Sequence, residues 1–583
     1  MGDLVQTLPL LQRLETGTRE REITVVCLRE FRVILEGQPW HDRLIAVELA
    51  EVRKLCDNTP RQDSQRWLPF KDCPELAESY DHVVNLTHDE ASAVLCEKIA
   101  ASQKSGRIHT LPNEIRLRGD WAKYLFAAVR NRRQNLFNLV DIYLGMGRCL
   151  GLPNLRMAHE PGRDGFHSVP DFFAPSTKTD SRDAVERIPT QFMGSSQELT
   201  GRVGPRAAWL DFKVEAAAET EARTLLRQHG SAGKGLLVGL QMGASDLRRA
   251  WPIENFASLS RLLGVNPGLE IVLFGNPKEA ELGKEFLRLA NGPVVNLIGR
   301  TEVRQLPPLL KACDLLISND TGPIHIAAAV GTRVLGLYFS TAYFAETAPY
   351  GEGHVVLQAE REPTQTKSPE FAAASANLLP VETVAAAALK MMGVASDWPS
   401  PRPGLGLYEA RLLSNGTLIY APAGETAAQQ EYLAALTNRL MWEQAFELET
   451  DTAFVTELFS RSQALQGFQD QLADYRQALQ RMRCSFSNGV ALARQMMEAA
   501  ASGTSGADPA AALHDRLAQT VKEISGLGER FGLLADFFHY EIMDLDFLPR
   551  PALAQELARK FKKLEQLSQN FLETLDRITG LAS

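Results

Sequence analysis

The chain has 583 residues, 45% hydrophobic and 23% charged, enough for about three or four domains with cores of their own. Its net charge of −9 argues against a general nucleic-acid binder, whose affinity rests on a basic surface. Seven scattered cysteines without a C-x-x-C pair, no signal peptide and no long apolar run exclude a disulfide scaffold, a zinc ribbon and a spanning helix, and point to a soluble cytoplasmic protein.

In chain order, residues 1–205 alternate strand-like runs at Ile23–Leu28, Leu44–Val47 and His82–Leu86 with helical stretches, the βα pattern of a parallel sheet. Trp121 through Asp141 reads as helical. Lys123, Arg130, Arg132 and Arg133 form a basic cluster there, either a solvated helix face or a seat for an anionic acceptor. Residues 160–205 are polar and rich in Gly, Pro and Ser, suiting a link between domains.

A second α/β unit spans 206–395. Leu237–Ser245 is a strand entering a small-residue turn, and Pro252 opens a helix with Phe256 and Leu259 inward. Ile271–Glu279 is a strand and loop ending in a carboxylate, suited either to ribose hydroxyls or to a helix start. Leu315-Leu316-Ile317 is a buried strand, Ser318-Asn319-Asp320 breaks it, and Gly322-Pro323 opens a helix, with Asp320 or Thr321 as its cap. This is an ordinary βα connection or, with Asp320 and His325 beside the free amides, an anion site at the carboxyl edge of a sheet.

Asp397–Gly404 is a Pro-stiffened linker, and Ala410–Tyr420 is a hairpin turning at Asn415-Gly416. Residues 396–424 thus form linker and hairpin, and 425–583 a helical extension interrupted at Ser502–Pro509. Leu553, Leu557, Phe561, Leu564, Leu567, Phe571, Leu575 and Ile578 make an amphipathic stripe, fit to dock on the core or to form a homo-oligomer. Arg559, Lys560, Lys562 and Lys563 offer peripheral membrane contact, diluted by Glu565, Glu573 and Asp576.

The run from Asp314 to Thr332, I-S-N-D-T-G-P-I-H-I-A-A-A-V-G-T at its centre, resembles the signature of the glycosyltransferase family 9 heptosyltransferases, and Pro349-Tyr350-Gly351 follows it. Arg249-Ala250-Trp251-Pro252 with Glu254 and Phe256 is similar to the family's K-x-W-P-x-E-x-F, with arginine in place of lysine, which keeps the charge but changes the reach. Gly2-Asp3 with Thr7-Leu8-Pro9 resembles the amino-terminal motif whose aspartate acts as general base, and Asn85-Leu86-Thr87 its V-N-L-T strand end. In the family a first strand precedes Gly-Asp, which leads to the expectation that the natural chain begins about ten residues earlier.

The resemblance implies a GT-B fold, two Rossmann-like domains facing a cleft, and inverting transfer from ADP-heptose or a similar nucleotide sugar without a metal. The acceptor would be a lipopolysaccharide core or other surface glycan, or a protein in heptosylating relatives, met at the inner face of the membrane. By resemblance Asp3 is the base; Ser245, Arg249, Glu279, Asp320, Thr321, Gly322 and His325 bind the donor. Lys123, Arg130 and Arg133 are candidates for the acceptor. Asp544-Leu545-Asp546, the only D-x-D, reads as coincidence. A non-catalytic sugar-nucleotide-binding or assembly protein is the competing class.

Overall fold

A computed structural model describes residues 1–15, 21–57, 73–109, 115–150, 209–244, 246–290, 292–339, 341–359, 378–400, 402–423, 429–461, 465–502, 528–542 and 550–582. Ser245, the 160–205 stretch and the D-x-D at 544–546 lie outside them.

The amino-terminal unit carries β1 (Thr24–Leu28), β2 (Arg43–Val47), β3 (Ser79–Asn85), β4 (Ala100–His109) and β5 (Ile115–Arg118). The expected single sheet is not formed. β1 pairs only with β2, both parallel, while β3, β4 and β5 make a separate sheet. No described strand joins β1 to β3. The two pieces are held by a small shared core of Ile45, Val47, Leu76, Val94, Leu95 and Ile99.

The helical stretch expected from Trp121 to Asp141 is also broken. It becomes the helix Asp120–Arg130, an irregular segment, and the helix Leu139–Met146. Asparagine side chains explain the break, because they offer the backbone an alternative to helical bonds. Asn135 Oδ1 accepts from the amide of Phe137 at 2.9 Å, and Asn138 Oδ1 caps the next helix from Val140 at 3.0 Å.

The second unit is built on β6 (Leu236–Gln241), β7 (Leu269–Phe274), β8 (Val294–Asn296), β9 (Leu315–Asn319), β10 (Arg333–Tyr338) and β11 (Val355–Ala359). Its order β11-β10-β9-β6-β7-β8 is parallel throughout. The strand order therefore reverses between β6 and β9, the switch point where a crevice opens at the carboxyl ends. β12 (Leu405–Leu412) and β13 (Leu418–Pro422), the expected hairpin, do not sit in a linker. They add to β11 as two antiparallel strands of the same sheet.

The carboxyl-terminal helices Gln429–Ala445, Thr452–Arg461, Leu465–Ser502, Gly528–Ile542 and Arg550–Ala582 follow. The two longest lie antiparallel, with Arg476 bonded to Asp576 and Ser487 Oγ 2.6 Å from Glu565. Leu557, Phe561, Leu564, Phe571, Leu575 and Ile578 are buried, so the apolar stripe is consumed within the chain. These helices share one continuous core with the first helix (Gly2–Glu15), the helices Asp120–Arg130 and Leu139–Met146, and one face of the large sheet. Trp121 stacks on Phe446 at 3.8 Å, and Trp442 meets Tyr124 at 5.0 Å and Phe571 at 5.4 Å. Among the described residues no helix is long and apolar enough to cross a membrane.

One buried cation ties the three parts together. Arg439 Nη1 donates to Leu136 O at 2.6 Å and Leu418 O at 3.0 Å, Nη2 to Thr417 Oγ1 at 2.5 Å, and Nε to Glu443 Oε1 at 3.0 Å. Beside it Asp141 accepts from Tyr350 Oη at 2.6 Å and from the Leu418 amide at 3.2 Å. Burial pushes the Asp141 carboxyl up to about 7, and the Arg439 charge pulls against that rise. Arg439→Ala would leave buried carbonyls and carboxylates without their donor. We expect a loss of about 3–5 kcal/mol in chemical denaturation; a change below about 1 kcal/mol would mean that the network is dispensable.

Candidate functional site

The carboxyl ends of β6 and β9 meet at the switch point, and the side chain of Asn319 locks them. Its Nδ2 donates to Met242 O at 2.7 Å, and its Oδ1 accepts from the Trp251 amide at 3.0 Å. The second bond fixes the start of the Trp251-Pro252 segment, which brings the short turn Leu247–Arg249 over the end of β9. Arg249 Nη1 then lies 3.3 Å from Asp320 Oδ2.

The helix Gly322–Ala329 starts here, with Pro323 in its first turn. Thr321 occupies the capping position, but its hydroxyl turns back to Asn319 O at 3.3 Å and to Ser318 Oγ at 3.1 Å. The expected side-chain cap is therefore absent. Pro323 brings no N–H and the Ile324 amide donates to Thr321 O at 3.2 Å, so what this helix turns to the crevice is the positive end of its dipole.

The amino-terminal unit comes to the same place. The first helix packs on the helix Gly322–Ala329 end to end, and glycines make the approach possible. A methyl group at Gly2 would lie 2.8 Å from His325 Cδ2, and one at Gly322 would lie 2.9 Å from Met1 Cε. Asp3, in the first turn and exposed, follows Gly2 here and is near enough to Asp320 for its charge to act on that carboxyl. Two positive helix ends and two carboxylates share one locus.

Asp320 is the most perturbed acid of the group. Its side chain is 8% exposed. Burial pushes its carboxyl up to about 6, Arg249, Thr347 and Arg132 draw it down, and the negative charge of Asp3 adds to the rise. His325 is buried, and that burial, above all other influences, lowers its imidazole to about 3. It is a neutral ring at neutral pH.

Glu279 sits on the other side of the crevice, above two glycine turns. A methyl group at Gly243 would fall 1.7 Å from its Oε1, and one at Gly275 2.6 Å from its Oε2. Oε2 also accepts from the Asn276 amide at 2.9 Å in a reciprocal helix cap. The helix-start reading of this carboxylate is realised, and its remaining lone pairs face the ends of β6 and β7.

The basic cluster makes ion pairs with the carboxyl-terminal helices. Lys123, 7% exposed, lies 3.0 Å from Glu541; Arg130 is 3.8 Å from Asp536 and Arg133 3.0 Å from Glu431. All three acceptor candidates point into the carboxyl-terminal helices, which cover the helix Asp120–Arg130 and compete for its charges. Lys560 and Lys563, candidates for a membrane face, are drawn to the same Glu541. Sequence reading had no signal for Thr347, whose hydroxyl borders Asp320, or for the lock made by Asn319.

Residues 197–374 match the family model described as glycosyltransferase family 9 (heptosyltransferase). The lipopolysaccharide heptosyltransferase 2 of Salmonella typhimurium is 34% identical over 108 residues, 18% of this chain and 30% of that protein. The lipooligosaccharide heptosyltransferase 2 of Campylobacter jejuni serotype O:2 is 31% identical over 150 residues, 25% of this chain and 44% of that protein. The chain thus spans less than half the length of these curated relatives. A family 9 glycosyl transferase structure from Veillonella parvula aligns with a TM-score of 0.47 and 19% identity, covering 68% of this chain and 95% of that one.

The raised carboxyl of Asp320 has a measurable consequence. The folded chain holds its proton from the ordinary 3.8 up to about 6, so stability falls as pH rises through that window. Asp320→Asn should abolish the decline and make the chain about 3 kcal/mol more stable at neutral pH. Parallel stability–pH curves for variant and parent would show that Asp320 ionises at its ordinary value.

Proposed function

We propose that this chain is an inverting glycosyltransferase that moves heptose or a related sugar from an ADP-sugar to a lipopolysaccharide core or another surface glycan. The observation that carries the reading is the meeting of Asp3, from one α/β unit, with the Asp320–His325 helix start and Arg249 of the other. A family 9 segment supplies the second half of that meeting.

On this reading the donor diphosphate lies against the positive end of the helix Gly322–Ala329 and the Arg249 guanidinium, which oppose the negative charge that grows on the leaving group. Glu279 takes ribose hydroxyls. Asp320 and neutral His325 hold sugar hydroxyls. Asp3 receives the proton of the acceptor hydroxyl as its oxygen attacks the anomeric carbon from the face opposite the leaving diphosphate. A single displacement of this kind inverts the anomeric configuration.

Asp3 sits in the first turn of the helix Gly2–Glu15, at the edge of the crevice. The exposed position of Asp3 leaves its carboxylate open to an acceptor. Lys123 is buried against Glu541, whereas Arg130 and Arg133 keep exposed side chains in their ion pairs with Asp536 and Glu431.

Calorimetric titration with ADP-heptose, ADP and UDP tests the donor. ADP-heptose binding should weaken by about 1–3 kcal/mol in Asp320→Ala, while Asp3→Asn should bind normally and transfer nothing. A parent protein that binds none of the three, or an Asp3→Asn variant with full turnover, would overturn the reading.

A further inference from the structure

One segment of the amino-terminal unit, residues 131–141, reaches over to the loop that follows β10 in the other unit. Arg132 Nη1 donates to Thr341 O at 2.9 Å. Its Nε lies 3.3 Å from Glu346 Oε2, a carboxylate whose side chain is 6% exposed. Asn138 Nδ2 donates to Ala348 O at 2.9 Å, and Asp141 receives the Tyr350 hydroxyl at 2.6 Å. These contacts span 341 to 350, and each crosses from one unit to the other.

The loop so held carries Thr347 to the site. Its Oγ1 is buried beside Asp320 yet closes no well-formed hydrogen bond. A buried hydroxyl that only partly meets its neighbour is under-satisfied, and here that neighbour is the carboxylate assigned to the sugar. Arg132 adds a positive field to Asp320 from the opposite side of the junction.

We propose that Arg132 is a positioning residue, which holds the 341–347 loop from across the domain junction so that Thr347 Oγ1 and Asp320 meet the donor sugar together. This rests on the glycosyltransferase reading for its ligand, but not for its mechanics. Arg132 grips the loop at two points, a carbonyl and a carboxylate, and this match needs the planar fork of arginine. Thr347 then supplies the hydroxyl that the donor sugar satisfies. The charged groups that face Asp320 are Arg249, Asp3 and Arg132, so removing Arg132 leaves one cation fewer against the same neighbouring carboxylate.

Hydrogen exchange and ADP-heptose titration of the full chain test this. Arg132→Met should speed exchange of the 342–347 amides and weaken ADP-heptose binding roughly tenfold or more. It should also move the pH midpoint of that binding upward. Arg132→Lys should restore the midpoint but not the full protection. Thr347→Val should weaken binding while leaving exchange unchanged. Unchanged exchange and affinity in Arg132→Met would overturn the proposal. If that variant does not fold, Glu346→Gln loosens the same grip from the other end and decides by the same readouts. A parent chain that ignores ADP-heptose would sink the function above, and exchange would still judge the tether.

Discussion

A fully buried guanidinium, that of Arg439, sets the condition that the rest of the molecule meets. Taking such a charge out of water costs several kcal/mol even after relaxation, and only a full set of acceptors offsets it. Those acceptors come from three places: Leu136 in the amino-terminal unit, Thr417 and Leu418 in the hairpin of the large sheet, and Glu443 on the same helix. Shifting any one of the three would strand a bare cation or a bare carbonyl. The helical extension is therefore an integral part of the fold, not an appendage.

The energy of that junction has a different source. Trp121, Tyr124, Phe137, Trp442, Phe446 and Phe571 gather around it in stacked and edge-on pairs. Burial of rings of this size contributes several kcal/mol each at about 25 cal/mol per Å², whereas a buried ion pair nets little. On this balance the aromatic cluster supplies cohesion and Arg439 supplies register. The site feels both, because the segment 131–141 that serves the extension on one side grips the loop beside Asp320 on the other.

Much of the second α/β unit was legible in the sequence. The run around Asp320 declares a strand, a turn and a helix start through local chemistry alone, and the structure places Arg249 against Asp320 and Glu279 at the ends of β6 and β7. The amino-terminal sheet and the basic cluster were not legible. Whether β1 and β3 share a sheet depends on what lies between them, which no single segment reveals. Lys123 looked like a surface cation because nothing near it in sequence hints at Glu541, more than four hundred positions away. Likewise a stripe of leucines and phenylalanines states that a face must be covered, without saying by what.

The sequence by itself determined the elements with local causes. Buried strands follow from short apolar runs, the hairpin from Asn415-Gly416, and the anion-ready helix start from Asp320 to Pro323. Tertiary structure alone decided how these are shared. It placed the hairpin on the large sheet, folded the apolar stripe onto its own chain, buried Lys123 against the extension, and set Gly2 against His325. The physical reason is range. Backbone propensities and caps act within a few residues, whereas the partner of a buried charge or of an apolar face is chosen by desolvation, which recognises neighbours in space only.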